Sequence, residues 1–276
     1  IDKNDLPKFL KNNKKITAII HMGAISTTTE SNFNKLLISN IRYSQMLWSW
    51  CSANKVPFIY ASSAATYGGG ENGYDDNENL LSKLIPLNAY GYSKHFFDQW
   101  VHSQVESNQP SPPQWCGIKF FNVYGPNEYH KNRMASVVFH AFQQYQKEKE
   151  IRLFKSENRN YKDGMQLRDF IYVKDAVEYV MFFLKNNHIS GLFNSGTGTA
   201  QSFNDLAEAV ILNTKGEKSN IRYINMPDDL KGKYQYYTEA NLDKIKAVGL
   251  NLKFKNLKEG VNDYMQNYLL TSDRYA

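Results

Sequence analysis

Apolar positions recur along this chain in two alternating rhythms. Thr17-Ala18-Ile19-Ile20-His21-Met22-Gly23-Ala24 is a short, nearly continuous apolar run ending at a glycine region, the pattern of a strand buried on both faces. From Ser31 to Asn54 the spacing changes. Phe33, Leu36, Leu37, Ile41, Met46, Leu47 and Trp50 fall near helical period, which predicts a long amphipathic helix closed before Pro57. Phe58-Ile59-Tyr60-Ala61-Ser62-Ser63 reads as a second buried strand, 88–106 as a helix, Pro110-Ser111-Pro112-Pro113 as a loop and 117–123 as a third strand. Strands alternating with helices of this length imply a parallel α/β sheet, whose ligands gather at the carboxyl ends of the strands. Gly23, Ser62, Ser63 and Asn122 stand at such ends.

After Pro126 the rhythm loosens. Helices are predicted over 134–149, 175–187 and 203–213, the last capped by Ser202, with a polar loop over 158–164. A strand over 191–194 leads into the turn Ser195-Gly196-Thr197-Gly198. That turn lacks the lysine of a nucleotide-triphosphate loop and reads as a tight turn before a capped helix. A strand over 221–225 and helices over 241–247 and 257–269 close the chain.

Composition narrows the class. The 276 residues are 42% hydrophobic and 14% aromatic, too apolar for a disordered chain. No run approaches the roughly 18 apolar residues of a membrane span, and Ile1-Asp2-Lys3-Asn4-Asp5 lacks the apolar centre of a signal peptide. Cys51 and Cys116 stand at no metal-ligand spacing, so a reduced cytoplasmic protein with both thiols as core filler is expected. The net charge of +6 is spread along the chain without a basic stripe, which argues against nucleic acid and for a solvated surface, helped by an anionic ligand.

Candidate chemistry centres on Tyr90-Gly91-Tyr92-Ser93-Lys94, 27 positions after Ser63. Four residues along a helix place Tyr90 and Lys94 on one face, where an ammonium favours the phenolate and lowers a phenol pKa of about 10. Ser63 is placed to hydrogen-bond the same substrate oxygen. A Tyr-x-x-x-Lys pair alone is more often a solvated helix face; its neighbours raise its weight. Tyr67 and Tyr124 read as packing residues, His21 as strand-end packing and His130 as loop positioning.

Taken in order, His21-Met22-Gly23-Ala24, Tyr60-Ala61-Ser62-Ser63-Ala64-Ala65-Thr66-Tyr67-Gly68, Tyr90-Gly91-Tyr92-Ser93-Lys94 and Phe121-Asn122-Val123-Tyr124-Gly125-Pro126 resemble the extended short-chain dehydrogenase/reductase superfamily. Ser26-Thr27-Thr28-Thr29-Glu30, Gly68-Gly69, His130-Lys131, Met134-Ala135-Ser136-Val137 and Leu230-Lys231-Gly232-Lys233-Tyr234-Gln235 narrow the resemblance to the ADP-L-glycero-D-manno-heptose 6-epimerases, over about 16–270.

The resemblance implies a Rossmann-type sheet domain over 1–122 plus about 174–194, and a smaller α/β substrate domain over about 123–173 plus 195–276. It further implies a bound NADP that takes hydride from C6 of ADP-heptose and returns it to the opposite face, for lipopolysaccharide inner-core supply, in a homo-oligomer described as a pentamer. Tyr90 and Lys131 match the family's two acid/base residues, Ser63 the holder of the reacting oxygen, and Lys94 the ribose ligand that lowers the Tyr90 pKa. Met22, Gly23, Ala24, Ile25, Ser26, Asn40, Val123 and Lys131 match cofactor positions. Asn122, Arg133, His140, Phe154, Lys155, Ser156, Glu157, Arg168 and Tyr234, with Ser63, match the substrate side.

Some features depart from the family pattern. Arg133 stands where a small polar residue is usual, and the loop between Glu157 and Arg168 is longer. No Gly-x-x-Gly-x-x-Gly turn occurs before Thr17, and Ile1 is not an initiator methionine, so the chain is expected to begin after the first three strands of the cofactor domain. Ala64-Ala65 fills the place of a dehydratase's Asp-Glu pair, which weighs against that activity. A 4-epimerase shares Ser63, Tyr90 and Lys94 but has no need of Lys131, and a non-catalytic scaffold keeping the fold is the third alternative.

Overall fold

The computed structural model describes residues 4–13, 15–214, 220–228, 230–232 and 234–275. Lys233 of the motif near Gln235 lies outside the described residues, as do Ile1, Asp2 and Lys3. The chain runs α1 (Leu6–Asn12), β1 (Ile19–His21), α2 (Phe33–Leu36), a π-helical turn (Leu37–Arg42), α3 (Tyr43–Asn54), β2 (Phe58–Ser63), α4 (Ala89–Glu106) and β3 (Trp115–Phe120). There follow β4 (Asn122–Tyr124), α5 (Val137–Glu148), β5 (Ile151–Phe154), β6 (Leu167–Tyr172), α6 (Val173–Lys185), β7 (Gly191–Ser195) and β8 (Ala200–Ser202). Then come α7 (Phe203–Asn213), β9 (Ile221–Ile224), α8 (Asp243–Ala247) and α9 (Leu257–Tyr264), which passes into a second π-helical turn (Met265–Leu269).

Local chemistry sets the element ends. The Asn88 side chain accepts from the Gly91 amide at 2.8 Å and starts α4, and reciprocal capping boxes start α7 (Ser202 with Asp205) and α9 (Asn256 with Glu259). Lys55, in the left-handed region at φ 56°, ends α3.

The main sheet has order β1-β2-β3-β7, all parallel, with Ser63 opposite Phe120 and Phe120 opposite Ser195. Its interior strands β2 and β3 are buried on both faces. Trp48 of α3 meets Phe58, Trp100 and Trp115 at ring separations of 6.2, 5.9 and 6.0 Å, and Tyr60 meets Phe97 edge-on at 4.8 Å. These contacts seat α3 and α4 on the sheet. Phe183 of α6 packs on Phe193 of β7 at 4.8 Å. Cys51 and Cys116 are both buried in this core.

The expected strand over 117–123 is broken at Phe121. Its amide donates to Ser195 O at 3.0 Å, the Val123 amide turns back to Phe121 O at 3.0 Å, and the chain leaves the main sheet. β4 instead pairs with β6, which also pairs antiparallel with β8; β5 pairs with β9. α5, α7 and α9 close a second core around Val138, Phe142, Leu206, Val210, Val261 and Tyr264. Ala240, Leu242, Ile245 and Leu250 pack in the first core, although the sequence assigns that stretch to the second domain. The carboxyl ends of β1, β2 and β3 thus carry the candidate residues to one edge of the sheet.

Candidate active site

Ser63 ends β2 and caps a 3-10 turn, Ala64–Tyr67, its Oγ accepting from the Ala65 amide at 3.1 Å. Thr66 donates its hydroxyl to Ser63 O at 2.8 Å, so Ser63 is held from its side chain and its carbonyl. Gly68 ends the turn at φ 62°, where a Cβ would lie 1.8 Å from Ile85 O, so any larger residue is barred. Tyr67 beneath it is buried and bonds Asn194 Oδ1 at 2.7 Å, a packing role as expected.

Tyr90 lies in the first turn of α4, half-buried, beside the Ser63 side chain. Lys94, one turn on, is buried, and its ammonium donates to Ala61 O at 2.8 Å. Here the electrostatics differ from the sequence expectation. Burial raises the Tyr90 pKa, the neighbouring Ser63 side chain pulls it back in part, and the Asp98 charge raises it further. Lys94 does not lower it, because the ammonium is turned to the Ala61 carbonyl and is itself pulled down to about 8 by desolvation, against the Asp98 carboxylate.

Met22, Gly23, Ala24 and Ser26 form an exposed loop beyond β1, and Ile25 is half-buried. Asn40 does not face that loop's outer surface. It is buried in the π-helical turn, accepts from the Ile25 amide at 2.9 Å, and donates to Ile25 O and Ser93 Oγ, both at 2.9 Å. Asn40 therefore ties the loop to α4. π-turns recur at functional sites because one extra residue re-aims a side chain into the helix bend.

His21 packs at 6.1 Å on Phe58 and bonds Ser44 Oγ at 3.0 Å, with its pKa lowered to about 4 by burial and then by Lys94. A cavity of about 710 Å³ beside β1 is lined in part by Gly23, Ala24 and Ile25. Its other walls include Leu6, Leu10 and Leu47, and it does not extend to Ser63 or Tyr90.

These residues suit a nicotinamide ribose. A Cβ on Gly23 would meet nothing within 4 Å, so backbone there is open to approach, and a lysine ammonium has two N–H groups beyond the one given to Ala61. Val123, half-buried at the start of the second lobe, borders the same sheet edge, and Asn122 beside it is exposed.

The substrate-side residues divide. Arg168 of β6 is buried, donates to Leu167 O at 2.9 Å and to Gln235 O, and lies 4.8 Å from the Tyr234 ring and 5.6 Å from the Phe203 ring. Burial lowers its pKa, while the surrounding tyrosines favour its charge. Phe154 and Ser156 are half-buried, and Lys155 and Glu157 exposed. The Glu157 amide donates to Tyr236 Oη at 3.3 Å, and its carboxylate pairs with Lys231 at 3.3 Å. Lys131 and Arg133 are exposed on a 3-10 segment, Tyr129–Met134, kinked at Asn132 (φ 49°); His140 approaches Arg133 O at 3.3 Å. His130 is exposed on the same segment.

Several residues escaped the sequence reading. Gln235 donates to Gly68 O at 2.6 Å, so the loop that holds Arg168 also grips the Ser63 turn. Asp169 accepts from the Thr197 amide and hydroxyl, both at 2.7 Å, and from the Gly198 amide at 2.9 Å, which explains the 195–198 turn without any phosphate. Asp98, four residues after Lys94 on the same helix face, is paired with Lys119. Its spacing was a signal in the sequence; its burial was not.

Known proteins resemble this chain in sequence and in fold. The profile of the NAD dependent epimerase/dehydratase family matches residues 1–196, which makes a nicotinamide dinucleotide the cofactor class. The chain is 50% identical over 285 residues to the ADP-L-glycero-D-manno-heptose-6-epimerase of Fusobacterium nucleatum, covering 100% of this chain and 85% of that protein. It is 45% identical over 260 residues to the Nitratidesulfovibrio vulgaris protein of that name, covering 94% and 79%. The crystal structure of the Helicobacter pylori ADP-L-glycero-D-manno-heptose-6-epimerase superposes with a TM-score of 0.78 at 27% identity, over 97% of this chain and 77% of that one. With its serine, tyrosine and lysine brought together at the carboxyl edge of a parallel sheet, this chain belongs to the ADP-L-glycero-D-manno-heptose-6-epimerase family.

Proposed function

We propose that this site inverts C6 of ADP-D-glycero-D-manno-heptose, giving ADP-L-glycero-D-manno-heptose through a 6-keto sugar. The observation that carries the reading is the meeting of Ser63 at the end of β2 with Tyr90 in the first turn of α4, the Lys94 ammonium being anchored one turn away at Ala61 O. The nicotinamide group, when bound, accepts a hydride and later returns it. Everything else falls to the chain. Ser63 holds the C6 oxygen, and Tyr90 takes the hydroxyl proton as the C6 hydride departs. Lys94 and the Met22–Ser26 loop hold the ribose, with Val123 beside the nicotinamide. Return of hydride to the opposite face calls for a second proton donor, and Lys131 on the exposed 3-10 segment fills that role. Arg168, whose planar fork suits a diphosphate, holds the ADP with Tyr234, the 154–157 segment, His140 and Arg133. Asn122 contacts the sugar.

NADP is the form of the cofactor we assign, and the setting is the cytoplasm, supplying heptose for the lipopolysaccharide inner core from a homo-oligomer, a pentamer by family likeness. No helix among the described residues is long and apolar enough to cross a membrane.

The test is turnover of ADP-D-glycero-D-manno-heptose with the two acid/base variants. Tyr90→Phe is expected to abolish oxidation, by about 10²-fold or more. Lys131→Met is expected to leave oxidation and impair inversion. Unchanged turnover in both sinks the mechanism. Acid release of the bound dinucleotide decides NADP against NAD.

A further inference from the structure

A buried ion pair lies beneath the site and touches none of the groups assigned to substrate or cofactor. Lys119 Nζ of β3 and Asp98 Oδ2 of α4 are 2.6 Å apart, with side chains 1% and 0% exposed. Asp98 also accepts from Ser62 Oγ at 2.6 Å and from Tyr60 Oη at 3.1 Å. Lys119 also donates to Thr66 Oγ1 at 2.8 Å, and Thr66 in turn donates to Ser63 O at 2.8 Å. Ser63 is therefore bracketed. The residue before it is fixed to Asp98, and the residue three after it is fixed to Lys119. Because Asp98 shares a helix with Tyr90 and Lys94, the same pair ties the serine's strand end to the helix of the base.

We propose that Asp98 and Lys119 are a positioning pair for catalysis, setting where Ser63 stands relative to Tyr90 and Lys94. The proposal rests on the epimerase reading for its kinetic consequence, but its geometry stands apart from substrate identity. A pair this buried stabilises a fold no more than apolar residues of similar volume do, so the contribution to look for is geometric and electrostatic. The charged and titratable groups around it are Tyr60 of β2, Tyr67 of the 3-10 turn, Tyr90, Lys94 and His95 of α4, and His21 of β1, which faces Lys94. Asp98 favours the charged form of Lys94, opposing its desolvation.

The test uses the double variant Asp98→Asn/Lys119→Met, which removes both charges and leaves neither one buried alone. Thr66→Val, with Thr66→Ser as rescue, cuts a single link and covers the case in which the double variant does not fold. For folded variants with Tm within a few degrees of wild type, kcat for ADP-D-glycero-D-manno-heptose is expected to fall about ten- to hundredfold, with KM changed less than threefold. Thr66→Ser is expected to restore kcat.

A second readout needs no turnover: the Lys94 Nζ resonance, assigned with Lys94→Arg and followed against pH by nitrogen NMR. Its midpoint is expected to drop in the double variant, because the Asp98 charge that favours the ammonium is gone. An inactive wild-type protein would sink the epimerase reading and leave this titration to decide the pair. Wild-type kcat in folded double and Thr66→Val variants, or, for an inactive protein, an unmoved Lys94 midpoint, overturns the proposal.

Discussion

Gly91 sets how closely the first turn of α4, which carries Tyr90, approaches the Ser63 turn. A Cβ there would lie 2.8 Å from Ala65 O and 2.9 Å from Pro86 Cβ, so the first turn of α4 rests directly on the backbone that follows Ser63. Gly91→Ala gains about 1 kcal/mol of helix propensity but forces α4 off the turn, at about 1–3 kcal/mol for overpacking. The expected result is a slightly lower Tm with kcat down about tenfold or more, measured by thermal melt and steady-state turnover. A kcat equal to wild type would show that the Tyr90–Ser63 contact does not depend on this close approach. At this scale the sequence was informative about identity and silent about environment. Ser63, Tyr90 and Lys94 were legible because helical spacing and strand ends are written locally. The raised Tyr90 pKa was not, since it comes from burial among residues far away in the chain and from where Lys94 turns its ammonium.

At the scale of elements, the long helical pattern after Ser31 was legible, but its π-helical turn was not. That turn is what buries Asn40 against Ile25 and Ser93. Asn40→Ala removes three hydrogen bonds, each worth about 1 kcal/mol net, that fix the Met22–Ser26 loop. Its expected effect is cofactor affinity weakened about tenfold with kcat at saturating cofactor nearly unchanged, read by titration of tryptophan fluorescence. An equal loss of kcat would place Asn40 in the chemistry instead.

The strands of the second lobe were harder to see for a plain reason. β4 and β8 are three residues long, and β6 carries Arg168 and Asp169 directly after its first residue, so no alternating or continuous apolar signal survives. Those two polar residues are buried because each is paired: Arg168 with Leu167 O and Gln235 O, Asp169 with the 195–198 turn. The expected strand over 117–123 failed at Phe121 because the turn of Val123 onto Phe121 leaves nothing in composition to mark it.

For the whole molecule, the loop that holds Arg168 is joined to the Ser63 turn where Gln235 reaches Gly68 O, and titration of buried groups links fold to pH. His21 has its pKa lowered from an ordinary 6.5 to about 4, so the unfolded chain binds more protons between those values and stability falls as pH drops from 6.5 towards 4. Asp76, raised to about 6 by burial, works in the opposite sense over the lower part of that window. His21→Gln keeps a partner for Ser44 and is expected to flatten the acid side of the stability curve, an effect on the order of a few kcal/mol at pH 4, measured by urea unfolding at stepped pH. An unchanged slope would mean that His21 takes up its proton without cost in the folded state.

On the proposed mechanism, hydride leaves and returns to the same carbon while Ser63, Tyr90 and Lys94 hold the reacting oxygen, its proton and the ribose. The most direct measurement is incubation of the protein with ADP-D-glycero-D-manno-heptose in deuterium oxide, with proton NMR of the C6 position. The expected result is conversion to the L-glycero epimer with no deuterium at C6, and no conversion in Tyr90→Phe. Deuterium at C6, inversion at another carbon, or conversion by Tyr90→Phe at the wild-type rate would contradict it.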